Sequence, residues 1–251
     1  MKVELVAFMQ MNPDYIYDHD WHVEIESEPE WVASAAMRST KTRKSFHAIM
    51  DENNDVKCPY CNGDDEEPEV LECPFCDGVG TVPIVAKRIY DSVVMGHYTV
   101  AGMTDFIFVI DDVSRSLTHQ LVRHRTGWYL QQSSRAVNPM SEVEWYIVPP
   151  KIAKKPAALA EFMEVIDRCK LGYKRLKKMR IPLEDCRFML PQATKQRIIM
   201  KMDGSNLMHF FKLRRDKHAQ WEIRNLADRI FYAVKRICPN LFREELREYW
   251  W

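Results

Sequence analysis

The sequence predicts an α+β chain, and three observations carry that prediction. Short apolar runs at residues 3–9, 106–110 and 196–202 have the length of strands. Through the long stretches 153–179 and 206–238, apolar residues instead recur at three- and four-residue steps, the spacing of one helix face. Between the first two of the strand-length runs lies a matched pair of Cys-x-x-Cys steps, which marks a small metal-stapled module at residues 47–86 inserted in a domain that spans residues 1–251.

Composition narrows the class. A chain of 251 residues with 46% hydrophobic and 29% charged residues reads as soluble and globular, with enough length to bury a core. Lys plus Arg equals Asp plus Glu at 36 each, so the overall charge lacks the footprint of a nucleic-acid binder and any anion site must be local. No apolar run approaches the length of a membrane span. The first short apolar run carries Glu4, unlike a signal peptide. Of seven cysteines, four form the metal pattern, and the odd total argues against a disulfide framework. A reducing, cytoplasmic setting is expected.

Element by element, residues 3–9 open the chain as a strand, and a polar, acidic stretch follows over 12–30. Residues 31–38 are Ala-rich and helix-forming, and Ser39 and Thr40 interrupt them. Next come Cys58-Pro59-Tyr60-Cys61, eleven intervening residues, and Cys73-Pro74-Phe75-Cys76. Four soft thiolates at this spacing make a closed tetrahedral site for a structural Zn2+, with no open position for chemistry. The alternative is two exposed redox pairs. Glycines after each knuckle suit the turns that aim backbone amides at sulfur, and the second knuckle resembles the zinc-ribbon repeats of DnaJ-type chaperones over roughly twenty residues. The acidic bridge Asp64-Asp65-Glu66-Glu67 argues against nucleic acid here.

Residues 86–95 read as an amphipathic helix with Ile89, Val93, Tyr90 and Val94 inward. After the 106–110 strand, Asp111, Asp112 or Ser114 can cap a helix over 114–123, with Leu117 and Leu121 on one face and Gln120 and Arg123 on another. Residues 145–148 form a strand before Pro149 and Pro150. The 153–179 helix buries Leu159, Phe162, Ile166, Cys169 and Tyr173 and solvates Lys170, Lys174, Lys177 and Lys178. Residues 184–191 make a short helix stopped by Pro191. After the 196–202 strand, Asp203-Gly204-Ser205 turns the chain into a helix in two pieces, whose buried stripe is Ile223, Leu226, Ile230, Val234 and Ile237. Arg214, His218 and Glu222 repeat every four residues on another face, as a surface ladder of charge pairs would.

One stretch fits no core: Arg123-His124-Arg125, then Ser133, Ser134 and Arg135. Arginine holds phosphate or carboxylate through a planar fork. A solvated basic loop is the plainer alternative. Trp128 either narrows a pocket and stacks on a ring or anchors the loop against the core, and Tyr129 and Leu130 are candidate anchors.

The words His119-Gln120-Leu121-Val122-Arg123-His124-Arg125, seven residues, then Ser133-x-Arg135 resemble the signature of flavin-dependent thymidylate synthases. Other segments resemble that family in order: Ala35-Ala36-Met37-Arg38-Ser39, His97-x-Thr99, Phe106-x-Phe108, Arg187-x-x-Leu190-Pro191, and the run from Leu207 to Ile223. The resemblance covers nearly the whole chain outside residues 47–86. It implies helices packed with a mixed, largely antiparallel sheet, and a homotetramer with shared sites. It implies FAD contacts at Ser39, His97, Thr99, Arg123, His124, Arg125, His209 and His218. It implies dUMP contacts at Gln120, Gln131, Gln132, Ser133, Ser134, Arg135, Arg187 and Arg214. The implied reaction takes one carbon from methylenetetrahydrofolate to C5 of dUMP, with hydride from FAD and re-reduction by NADPH, so the chain need only bind, orient and polarise. Arg214 is the implied catalytic residue, stabilising charge on the uracil. No cysteine nucleophile is required, and Ser133 reads as a binding hydroxyl.

The sequence departs from the family at Trp128 (usually small), Gln131 (commonly Glu), Gly102-Met103 (often Glu-His), Asp203 and Ser205 (Asn and Arg). Two other readings remain: a related one-carbon transfer such as hydroxymethylation on another pyrimidine nucleotide, and an inactive zinc-containing scaffold associated with nucleic acid.

Overall fold

A computed structural model describes residues 1–8, 28–44, 46–50, 52, 54–63, 73–138, 140 and 143–250. In chain order its elements are strand β1 (Lys2–Phe8), helices α1 (Glu28–Ser39) and α2 (Phe46–Met50), strands β2 (Asp55–Lys57) and β3 (Thr81–Pro83), helices α3 (Ile84–Val94) and α4 (Thr99–Gly102), strand β4 (Asp105–Ser114), helix α5 (Arg115–Leu121), strand β5 (Trp128–Gln131), helices α6 (Pro150–Ala153), α7 (Pro156–Lys178) and α8 (Leu183–Cys186), a 3-10 turn (Arg187–Met189), strand β6 (Lys195–Asp203), helices α9 (Gly204–Arg214) and α10 (Trp221–Ile237), and a last 3-10 turn (Glu244–Tyr249). The class is the α+β expected. One sheet has the order β1-β4-β6-β5, and β2 pairs antiparallel with β3. Met9, most of the polar 12–30 stretch, the acidic bridge at 64–67 and Pro139 lie outside the described residues.

Chain contacts divide the protein into two units, residues 1–3 with 109–200 and residues 4–108 with 201–251. In the first unit, β6 buries Gln196, Ile198 and Met200, the two-residue period of a strand with one covered face. Along β4 the same period fails after Ile110. Asp112 adopts a left-handed conformation (φ 55°), which shifts the alternation by one and buries Val113 and Ser114 in succession. Among the three predicted caps, Ser114 takes the role: its Oγ accepts the Leu117 N–H at 3.0 Å. Such a cap contributes about 1 kcal/mol. Leu117 and Leu121 are buried as expected.

Three expectations in this unit are corrected. Helix α7 buries Ile166 and Tyr173 but leaves Leu159, Phe162 and Cys169 only half-buried, so its covered stripe is narrower than the spacing implied. Residues 145–148 make a single bridge, Tyr146 with Thr194, because Pro149 has no N–H to continue a ladder. Strand β5 was not anticipated, since Trp128, Tyr129 and Leu130 show no apolar–polar alternation. Its outward Trp128 and Leu130 are 75% and 73% exposed, so neither anchors the loop on the core.

In the second unit, α3 buries Val85, Ala86, Ile89, Ser92 and Val93, while Tyr90 is half-buried and Val94 is exposed, contrary to expectation for the last. Asp203 does not simply turn the chain: its Oδ1 accepts the Asn206 N–H at 2.9 Å and caps α9. Gly204 follows, where a Cβ would stand 2.4 Å from Thr104 Oγ1 and 2.7 Å from the Ala101 carbonyl oxygen.

The two-piece helix is present, but the ladder is not. Arg214 ends α9, His218 is exposed in the linker, and Glu222 is buried in α10. Gln220 starts α10 by accepting the Glu222 and Ile223 N–H groups at 2.9 and 3.1 Å. Arg215 turns inward to Asp228 and Glu244, both at 2.8 Å, with its guanidinium 3.7 Å over the Phe231 ring. In α10, Ile223, Leu226, Ile230 and Val234 are buried and Ile237 is half-buried. Among the described residues, no helix is long and apolar enough to cross a membrane.

Candidate nucleotide and metal sites

Strand β4 delivers the chain into α5, whose first turn presents Arg115 on the same side as His119 of the last turn. Arg115 Nε donates to His119 Nε2 at 3.3 Å. The backbone of the same turn is pinned across the unit: Arg115 N–H donates to the Thr194 carbonyl at 2.9 Å and Ser116 N–H to the Gln192 carbonyl at 3.0 Å. Arg115, His119, Ser134, Arg187, Thr194 and Gln196 line a cavity of about 350 Å³ in the first unit. Arg187 Nε is held by the Glu184 carbonyl at 3.0 Å, and its terminal nitrogens have no partner among the described residues. Two guanidiniums, an imidazole and a hydroxyl around one cavity select an anion with several oxygen acceptors.

Only Ser134 and Arg187 of the predicted nucleotide residues line this cavity. Gln131 lies beside it, where its Nε2 donates to Thr118 Oγ1 and to the cavity residue Gln196, both at 3.1 Å. Its amide donor is therefore committed, and its oxygen is the group left to accept. Gln120 is half-buried on α5, and Gln132 is exposed, with its N–H donating to the Arg197 carbonyl at 2.9 Å. Ser133 Oγ accepts the Arg135 N–H at 3.3 Å, and the exposed Arg135 side chain stands 3.8 Å from Glu184. Arg115, His119, Thr194 and Gln196 were not anticipated. The four-residue spacing of Arg115 and His119 on a predicted helix could have flagged that pair; nothing local marks the other two.

The basic loop follows α5. Arg123 and Arg125 are exposed with no side-chain partner among the described residues. His124 is half-buried, and its carbonyl accepts the Tyr129 hydroxyl at 2.9 Å. Tyr129 is thus the anchor of this loop, and burial holds its phenol well above the ordinary range.

The remaining predicted residues belong to the second unit. Ser39 Oγ donates to the Ala36 carbonyl at 2.6 Å at the end of α1. His97 is exposed between α3 and α4 and Thr99 is exposed at the first position of α4, and the His97 N–H donates to the Ser92 carbonyl at 2.7 Å. His209 and Arg214 are half-buried on α9. His218 is exposed, with its N–H donating to Asp216 Oδ1 at 2.8 Å.

The four knuckle cysteines converge. Cys58 Sγ lies 3.9 Å from Cys73 Sγ and Cys61 Sγ 3.7 Å from Cys76 Sγ, and all four sulfurs lie within 4.8 Å of one another. An ion holding sulfur at about 2.3 Å sets tetrahedral edges of roughly 3.8 Å, so this donor set fits Zn2+. Left-handed turns at Asn62, Gly63, Asp77, Gly78 and Gly80 wrap the knuckles. Gly80 N–H points at Cys76 Sγ from 3.3 Å, and the Cys58 N–H donates to the Gly80 carbonyl at 2.9 Å. The β2–β3 pair closes the module.

With an α+β fold and an arginine-lined cavity in place, comparison with known proteins gives the class: the chain belongs to the thymidylate synthase complementing protein family, whose model matches residues 23–240. Its relatives include the flavin-dependent thymidylate synthase of Geobacter sulfurreducens, 38% identical over 150 residues, which cover 60% of this chain and 65% of that protein. That of Clostridium tetani is 38% identical over 164 residues, covering 59% and 65%. That of Nitratidesulfovibrio vulgaris is 39% identical over 155 residues, covering 59% and 62%. The chain therefore spans a little under two thirds of the length of these relatives.

Proposed function

We propose that the protein is a flavin-dependent thymidylate synthase, converting dUMP to dTMP with methylenetetrahydrofolate as carbon donor, FAD as hydride carrier and NADPH as reductant. The observation that carries this reading is the first-unit cavity, where Ser134 and Arg187 of the family motifs meet Arg115 and His119 in an arrangement suited to a nucleotide phosphate. Family membership supports the choice of reaction.

In this reading Arg187, Ser134 and Arg135 hold the phosphate, and Gln120, Gln131, Gln132 and Ser133 orient the nucleoside. The Gln131 oxygen, whose amide is fixed by Thr118 and Gln196, accepts rather than donates. Arg214 donates to a uracil carbonyl and stabilises the negative charge that oxygen carries in the enolate-like ring, the form in which C5 is nucleophilic toward the one-carbon unit. The donor chemistry suits FAD: Arg123 and Arg125 offer uncommitted guanidiniums for a pyrophosphate, and His97, Thr99 and His218 are exposed. His124, His209 and Ser39 complete that set. A bound flavin supplies the hydride that completes the methyl group. The cysteine site holds structural Zn2+. The active assembly is a cytoplasmic homotetramer with sites shared between subunits.

Turnover of purified protein with dUMP, methylenetetrahydrofolate, FAD and NADPH, with the product identified by mass, tests the proposal. A product of dTMP mass is expected, from a protein that purifies yellow. A hydroxymethyl product would redirect it to a related transfer. A colourless protein that refuses FAD and binds nucleic acid would replace it with a scaffold.

A further inference from the structure

The metal module interrupts the chain between the Ser39 segment and the His97 segment, and second-unit contacts lead from it to both. On one side stands the second knuckle. Phe75 is buried, its carbonyl accepts Arg243 Nη1 at 2.9 Å, and its ring lies 4.1 Å beneath the same guanidinium. Arg243 Nη2 donates to Asn240 Oδ1 at 3.1 Å. Asn240 Nδ2 then donates to Glu30 Oε2 at 2.9 Å, and the Leu241 N–H donates to Glu30 Oε1 at 2.5 Å. Glu30 is fully buried in α1, the helix that ends at Ser39.

On the other side, Cys58, Cys73, Phe75, Cys76 and Val82 share one buried cluster with Ala86 of α3. Tyr90 of α3 meets the Phe75 ring edge-on at 5.1 Å. Helix α3 leads directly to His97 and Thr99, and its Ser92 hydroxyl also contacts Met37 Sδ of α1. The module thus grips both segments that the flavin reading uses.

We propose that the four-cysteine site is a metal-dependent clamp on α1 and α3, and that Arg243 is the positioning residue that transmits its grip to α1. The link to flavin rests on the function proposed above. The physical reason is that this cluster is too small to hold its shape without an ion. Once the knuckle loosens, Arg243 loses its carbonyl and its ring together. Its Nε is already buried without a partner, so the Asn240 side chain is the one hydrogen-bond partner the guanidinium keeps among the described residues. Asn240 and Leu241, the donors to Glu30, then lose their anchor.

The test uses the full zinc-loaded chain and three readouts: zinc content, FAD affinity by fluorescence quenching, and hydrogen exchange over residues 28–39 and 84–99. Chelation, or Cys61→Ser, removes zinc, speeds exchange in both segments and weakens FAD binding at least tenfold. Arg243→Ala keeps one zinc per chain, speeds exchange over 28–39 only, and weakens FAD binding comparably. Turnover of that variant returns to the wild-type rate at saturating FAD, and Arg243→Lys recovers part of the affinity through its cation over Phe75. A zinc-loaded Arg243→Ala chain with unchanged exchange over 28–39 would overturn the clamp. If wild-type protein binds no FAD, the flavin reading fails by itself, and exchange over 28–39 still decides whether the clamp exists.

Discussion

The Tyr129 hydroxyl donates to the His124 carbonyl at 2.9 Å, so the strand that follows the basic loop also ties it down. A net hydrogen bond of this kind contributes about 1 kcal/mol. Tyr129→Phe removes it without changing shape, and a loss of about 1 kcal/mol lowers Tm by ~2–4 °C in a chain of this size. Because the bond holds the Arg123–Arg125 backbone, FAD binding should also weaken several-fold. Thermal unfolding beside a flavin titration checks both, and an unchanged flavin affinity rejects the tie between Tyr129 and the arginines.

Burial pushes the Glu30 carboxyl up to about 8 from an ordinary 4.5, against the Leu241 and Asn240 hydrogen bonds and the charge of Arg243. Between those two values the folded chain keeps a proton that the unfolded chain has released. This contribution to stability is therefore complete below about pH 4.5 and is lost as pH rises to about 8. The slope is about 1.4 kcal/mol per pH unit. Glu30→Gln should flatten the decline. Urea unfolding of both proteins at several pH values in that window checks this, and parallel curves would refute it.

Gly204→Ala places a methyl 2.4 Å from Thr104 Oγ1 and 2.7 Å from the Ala101 carbonyl oxygen. Thr104 can rotate, but the backbone carbonyl must move. Overpacking of this kind costs about 1–3 kcal/mol. A lower urea midpoint is expected, and an unchanged midpoint would show that α4 yields freely to α9.

Arg214→Ala should separate chemistry from cofactor binding. Loss of a group that stabilises developing charge lowers kcat on the order of 10²–10³-fold. The yellow colour should persist, since Arg214 is assigned to the uracil and not to the flavin. Near-normal turnover in the variant would remove the polarising role.

Much of the fold was legible because its signals are local. The stripe Ile223, Leu226, Ile230 and Val234 shows its buried face through spacing alone, and the four cysteines announce a shared site through two identical steps. Local signals failed where a side chain answers to a distant partner. Glu222 reads as one rung of an exposed ladder until the linker after Arg214 breaks the helix and turns it inward. Strand β5 is invisible without its pairing partner, since three apolar residues in a row carry no period. Of the predicted nucleotide residues, Ser134 and Arg187 line one cavity, beside an α5 that backbone hydrogen bonds join to the loop before β6.

The sequence by itself determined the class of fold, the four cysteines that converge and the family, because helix period, knuckle spacing and ordered motifs act over a few residues at a time. Only the tertiary structure decided that Arg115 and His119 join Arg187 at one cavity and that Arg243 reaches Phe75, 168 positions earlier in the chain. Those contacts depend on where the backbone returns. That is set by the packing of whole elements, and no short stretch of sequence encodes it.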